Sequence, residues 1–170
     1  MPDIAFMTGV LGGTILVAGA AVREGKVKNA LLGAGTVFMF VYALMNFWAG
    51  GTVLFVFFES LALLATLLMV IDLSDKWDTL ILGTGGLILV GLSLAFSQTP
   101  TTLFFIVGLT GVSLGYALKE GTVKRHVAFT LGAALICLFS YFEANWIFFW
   151  LNVFFAGFSG WHFYKVVTSS

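Results

Sequence analysis

The chain has 170 residues, of which 60 % are hydrophobic and 9 % charged, with a formal net charge of zero. A water-soluble domain covers its surface with charge, about a quarter of its residues, so this composition excludes one. Net neutrality also excludes the basic footprint of a nucleic-acid binder.

Apolar runs of roughly 18 to 22 residues follow one another with short breaks, each long enough to cross hydrocarbon as a helix. The pattern predicts an all-α membrane protein with seven transmembrane helices, over 4–22, 29–48, 52–72, 78–97, 101–119, 126–144 and 146–166. The breaks are REGKVKN, AGGT, DLSDKWD, SQTPTT, KEGTVKRH and EANW. Two of them, at Gly50-Gly51 and Ala144-Asn145, carry few polar residues, and continuous helix at either would lower the count. The first span has no basic residue before Ile4 and ends in REGK, so it is not expected to be a removed signal peptide. The single cysteine, Cys137, lies inside an apolar run and reads as a small buried hydrophobe.

Charge placement gives a topology. Lys and Arg resist translocation and collect in cytoplasmic loops. With seven crossings and an outside N-terminus, Arg23, Lys26, Lys28, Lys76, Lys119, Lys124, Arg125 and Lys165 all fall on the inner side, which is every basic residue of the chain. The C-terminus is then cytoplasmic.

A charged phrase occurs twice, as AVREGKVK from Ala21 and as ALKEGTVK from Ala117, ninety-six positions apart. Each is expected to close the first helix of a three-helix unit, with Glu and Gly ending the helix and the basic residues anchoring its inner turn. Gly12 and Gly19 fall opposite Gly108 and Gly115, and after small shifts Gly35 meets Gly132 and Tyr42 meets Tyr141. The expected plan is a three-helix repeat over 1–73, a linker helix over 74–100 and a second repeat over 101–170. An odd linker makes the two triplets run in the same direction, a parallel repeat known among transporters.

This plan resembles the clan of SWEET sugar transporters, PQ-loop proteins and PnuC vitamin transporters across nearly the whole chain. The Pro-Gln pair of PQ-loop units is missing, because the only prolines are Pro2 and Pro100. NFWAGG followed by FFES is similar to bacterial inner-membrane proteins of the YgjV type, and NWIFFWLN resembles the Trp-rich binding helix of PnuC. The resemblance implies a bacterial or archaeal cytoplasmic membrane and a small-molecule solute as partner. Self-association into a homo-oligomer is left open.

One ionisable residue lies well inside a span, Glu59 in FVFFESLALLA. A carboxylate there costs several kcal/mol unless it is neutralised or reaches water, which makes it a functional candidate by default. The competing reading is a protonated, packed side chain bonded to a nearby carbonyl. Aligning FVFFESLALLA with FFWLNVFFAG sets Asn152 opposite Glu59, each roughly 10 Å inside the outer end of its helix. The resemblance implies substrate contact for both positions; helix-to-helix bonding by a buried Asn competes with it. Trp150, Tyr42, Tyr141 and Asn46 complete the candidate site, since stacking faces beside amides and a carboxylate suit a sugar, a nicotinamide or a small cation. Trp48 and Trp146 fit an interfacial belt. His126 and His162 lack the spacing of a metal pair and no cofactor is expected. GTGG at Gly83 lacks the strand and Lys of a phosphate loop. Gly9 with Gly13, and Gly111 with Gly115, form small faces at four-residue spacing for close helix packing.

No nucleophile stands beside a base, so an enzyme is not expected. The function expected is a small-solute transporter or facilitator for a neutral-polar or cationic solute, alternating its access and coupled to protons through Glu59. A non-transporting accessory subunit and a proton or ion conductor are the rival readings.

Overall fold

The computed structural model describes residues 3–22, 26–71, 74–96, 99–118 and 122–168, with Asp75 and Val166 described by their backbone alone. Among these residues there are seven helices and no strand: α1 Ile4–Ala21, α2 Lys26–Trp48, α3 Leu54–Ile71, α4 Asp75–Ala95, α5 Thr102–Ala117, α6 Val123–Phe142 and α7 Trp146–Thr168. Five of them, α1, α2, α3, α4 and α6, are long and apolar enough to cross a membrane. Large apolar side chains such as Ile4, Val70, Leu87 and Leu131 point outward. Lipid tolerates such a surface and water does not, so the chain is an integral membrane protein.

Both doubtful hinges are real breaks. Gly50 takes the left-handed conformation at φ 95°, and Ala144 does so at φ 52°. Thr52 Oγ1 then accepts from the Leu54 amide at 3.3 Å to open α3, and Asn145 Oδ1 accepts from the Phe148 amide at 3.2 Å to open α7.

Helices α2, α4 and α6 begin three residues before their expected starts. Their charged residues belong to helical turns rather than to loops, because long basic side chains at a helix end reach the interface without unwinding it. At α6 the start is fixed by Thr122, whose Oγ1 accepts from the Arg125 amide at 3.4 Å. The first helices of the two charged phrases end at Ala21 and Ala117, where Val22 and Leu118 turn extended. The Glu-Gly pairs expected to end them lie outside the described residues.

Contacts divide the chain into Met1–Ser74 and Asp75–Ser170, so α4 belongs with the second unit. In the first unit α2 packs on α1 and α3; in the second α4, α5, α6 and α7 pack each on the next.

Glycine sets the closest crossings. A Cβ on Gly12 would lie 3.0 Å from the Met39 amide nitrogen, and one on Gly35 would lie 2.9 Å from that of Leu16. In the second unit a Cβ on Gly108 would lie 3.1 Å from the Ile136 nitrogen, and one on Gly132 would lie 2.7 Å from that of Val112. Space beside Gly13 is open. The close face therefore runs through Gly12 and Gly19, two turns apart, and through Gly108 and Gly115, not through Gly13; Gly111 also meets Gly132.

The buried face of α2 is Gly35, Thr36, Met39, Tyr42 and Ala43, and that of α6 includes Gly132, Ala133, Ile136, Phe139 and Ser140. These sets match one for one at a spacing of ninety-seven. The partner of Tyr42 in this register is Phe139. Tyr141, expected there, takes the place of Leu44 and is exposed.

Hydroxyls inside the apolar helices bond back to the preceding turn. Ser93 donates to the Leu89 carbonyl and Ser140 to that of Ile136, both at 2.7 Å. One pair also crosses between helices: the hydroxyls of Thr36 on α2 and Thr66 on α3 lie 3.3 Å apart.

Candidate functional site

Glu59 is 1 % exposed, and its Oε2 has no hydrogen-bond partner among the described residues. The apolar run around it makes α3 by pattern and length, and Thr52 fixes where the helix starts. Five residues on from Leu54, the carboxyl lies about one and a half turns into the helix. Its level on α2 follows from the Thr36–Thr66 contact. The helices run antiparallel, so seven residues from each threonine brings Ala43 level with Glu59. Ala43 is fully buried and offers only a methyl group, beside the buried ring of Tyr42. Asn46 lies one turn nearer the hairpin, half-buried, with its carbonyl accepting from the Gly51 amide at 2.9 Å. The first unit thus brings Tyr42 and Glu59 to one depth, with Asn46 above them.

Asn152 is also 1 % exposed, seven residues past its own cap Asn145. Its Nδ2 donates to the Phe148 carbonyl at 2.8 Å. Phe148, like its counterpart Phe55 on α3, is fully buried. A side-chain oxygen bonded to the first turn, a phenylalanine and a polar residue therefore recur at one spacing, Thr52, Phe55 and Glu59 against Asn145, Phe148 and Asn152. The spacing between the units falls from ninety-seven on the second helices to ninety-three here, for a physical reason. From Tyr42 to Thr52 the chain advances ten positions, and from Phe139 to Asn145 only six, so the second hairpin is four residues shorter.

The aromatic candidates of the second unit lie elsewhere. Trp150 is 56 % exposed, and two residues along a helix turn a side chain by about 200°. Trp150 and Asn152 therefore face away from each other. Tyr141, 53 % exposed, joins a ladder of rings at the hairpin. Tyr141 and Trp146 have centroids 5.9 Å apart, Trp146 and Phe149 5.6 Å, and Phe149 and Trp150 5.2 Å. Near a helix end such a band has the composition of an interfacial belt. Glu143, beside it, has its carboxyl pushed above the ordinary value by partial burial.

Sequence spacing separated two residues that the fold unites. His126 and His162 stack with ring centroids 5.8 Å apart and planes 20° from parallel. The antiparallel register of α6 and α7 carried that signal, because a residue near the start of one helix meets one near the end of the next. Among the described residues no group of three or more His, Cys, Asp or Glu has the arrangement to hold a metal ion.

No protein-family model, curated protein or solved structure matches this chain.

Proposed function

We propose that the chain is a small-solute transporter or facilitator of the cytoplasmic membrane, with seven crossings, an outside N-terminus and alternating access. The observation that carries this reading is Glu59, a wholly buried acid whose Oε2 lacks a partner among the described residues, matched in position by the buried amide of Asn152. A buried carboxyl oxygen without a partner is costly in hydrocarbon, and a ligand that completes it would account for its retention. No Lys or Arg lies at that depth, so an anionic solute lacks a counter-charge. A neutral-polar or cationic solute fits the acid and the amide.

The recurrence of the glycine crossings, the buried faces and the capped third helices supports two related triplets joined by α4. That is the plan of the SWEET, PQ-loop and PnuC clan. Within the first unit we assign Glu59 and Tyr42 to solute, with Asn46 one turn nearer the hairpin, and within the second unit Asn152; Trp150 and Tyr141 serve the interface instead.

Uptake into proteoliposomes across a panel of sugars, nucleosides, vitamins and amines tests the reading. Saturable uptake of one class, lost in the Glu59→Ala, Asn152→Ala double variant, is expected. Absence of saturable uptake, with ohmic currents in planar bilayers, would replace the carrier by a conductor. Co-purification with a stable partner and full cellular function of the double variant would make it an accessory subunit.

A further inference from the structure

The stacked imidazoles of His126 and His162 stand in a cationic neighbourhood. Lys124 and Arg125 precede His126, and Lys165 lies one turn beyond His162. Arg125 donates to the Leu118 carbonyl at 3.3 Å and its guanidinium lies over the Phe129 ring at 5.5 Å, which fixes that charge beside the pair. Lys165 Nζ lies 5.3 Å from the Trp161 ring. Helices α5, α6 and α7 contain no acidic residue at all, and the titratable group that α5 adds is Tyr116. Glu120 lies outside the described residues. Of the pair, His126 stands in the first turn of the 20-residue α6, at the positive end of its dipole, and His162 near the end of α7, where Lys165 offsets the negative one. Among the described residues a metal cation would meet like charge here and an anion would meet none.

The same end of α7 supplies an apolar surround. Trp161 and Tyr164 stack with centroids 6.1 Å apart, both exposed, and Phe158 is exposed one turn deeper. Amphipathic rings beside basic groups are the composition of the headgroup zone. We infer that the inner ends of α6 and α7 bind the phosphate of an anionic phospholipid, held by His126, His162 and the adjoining basic side chains, with its acyl chains along Trp161 and Phe158. The inference rests on the seven-crossing reading but not on transport of any solute.

The test uses the full chain purified in nonionic detergent and titrated with short-chain phosphatidylglycerol, short-chain phosphatidylcholine or inorganic phosphate, read by thermal shift and by native mass spectrometry. Phosphatidylglycerol should bind saturably and raise the melting temperature, phosphatidylcholine should not, and inorganic phosphate should act only weakly. The H126Q/H162Q variant should bind about tenfold more weakly, as expected for the loss of two near-surface charge contacts. Binding by the wild type should strengthen on acidification, and the variant should lose that gain. Should the Gln variant fold poorly, H126F/H162F keeps the stacked rings and must show the same loss. Equal binding of both lipids, inorganic phosphate matching phosphatidylglycerol, or unchanged binding by the folded variants would overturn the site. Because binding is read without uptake, a failed transport assay leaves this result standing, and the reverse holds as well.

Discussion

Thr36 and Thr66 bring α2 and α3 together with hydroxyls 3.3 Å apart; each has one proton, so while one donates to its own preceding turn, at the Leu32 or Ala62 carbonyl, the other donates across the helices. The contact sets the register that brings Glu59 level with Ala43. A Thr36→Val, Thr66→Val double-mutant cycle should give a coupling of about 0.6 kcal/mol, the usual size of such bonds between membrane helices. Unfolding of the purified protein in mixed micelles measures it, and zero coupling would show that packing alone sets the register.

Gly132→Ala should destabilise the second unit by about 1 to 3 kcal/mol, since its new Cβ would meet the Val112 nitrogen at 2.7 Å and the Gly108 oxygen at 2.8 Å. Neither neighbour is a side chain that can swing aside. Gly35→Ala should cost a similar amount in the first unit. Gly13→Ala and Gly157→Ala, where nothing lies within 4 Å, should be neutral or stabilising. Equal losses in all four variants would refute the assignment of the close face.

Much of the fold was legible in the sequence because hydrocarbon imposes length and apolarity on each helix. Glu59 and Asn152 stood out for the same reason, as polar residues in apolar runs. What escaped was rotational position. The shared letter at Tyr42 and Tyr141 suggested equivalence, but faces are set by which residues meet a neighbouring helix, and that placed Phe139 opposite Tyr42. The proximity of His126 and His162 was hidden similarly, because pairing across an antiparallel hairpin depends on its register rather than on local spacing.

The hairpin between α6 and α7 should tolerate improvement. Ala144 holds φ 52°, where a side chain costs about 1 kcal/mol, so Ala144→Gly should raise stability by up to that amount. Asn145→Ala should lower it by about 1 kcal/mol through loss of the α7 cap. Opposite signs for these adjacent substitutions in one unfolding series would distinguish backbone strain from capping.

Glu143 predicts a direction in pH. Partial burial raises its folded-state value above the unfolded one, so its stabilising effect is complete below the unfolded value and is lost as pH rises through the folded one. Stability should fall slightly on raising pH through the weakly acidic range, and Glu143→Gln should flatten that slope. Exposure keeps the effect small. A steeper slope in the variant would contradict the sign.

Topology is checked by a cysteine at Thr99, an exposed residue, in a Cys137→Ala background. An impermeant thiol reagent should label it from outside the cell. Labelling only from the cytoplasm would overturn the seven-crossing map.

The four-residue difference between the two hairpins has a consequence for how such a chain can change over evolutionary time. Because the chain breaks at Gly50 and Ala144, helical phase is not carried across either corner, and Asn152 keeps its bearing on α7 as long as its distance from Asn145 is kept. Residues can therefore be trimmed or added before Asn145 without turning the buried amide outward. Length polymorphism should gather there and be absent between Asn145 and Asn152.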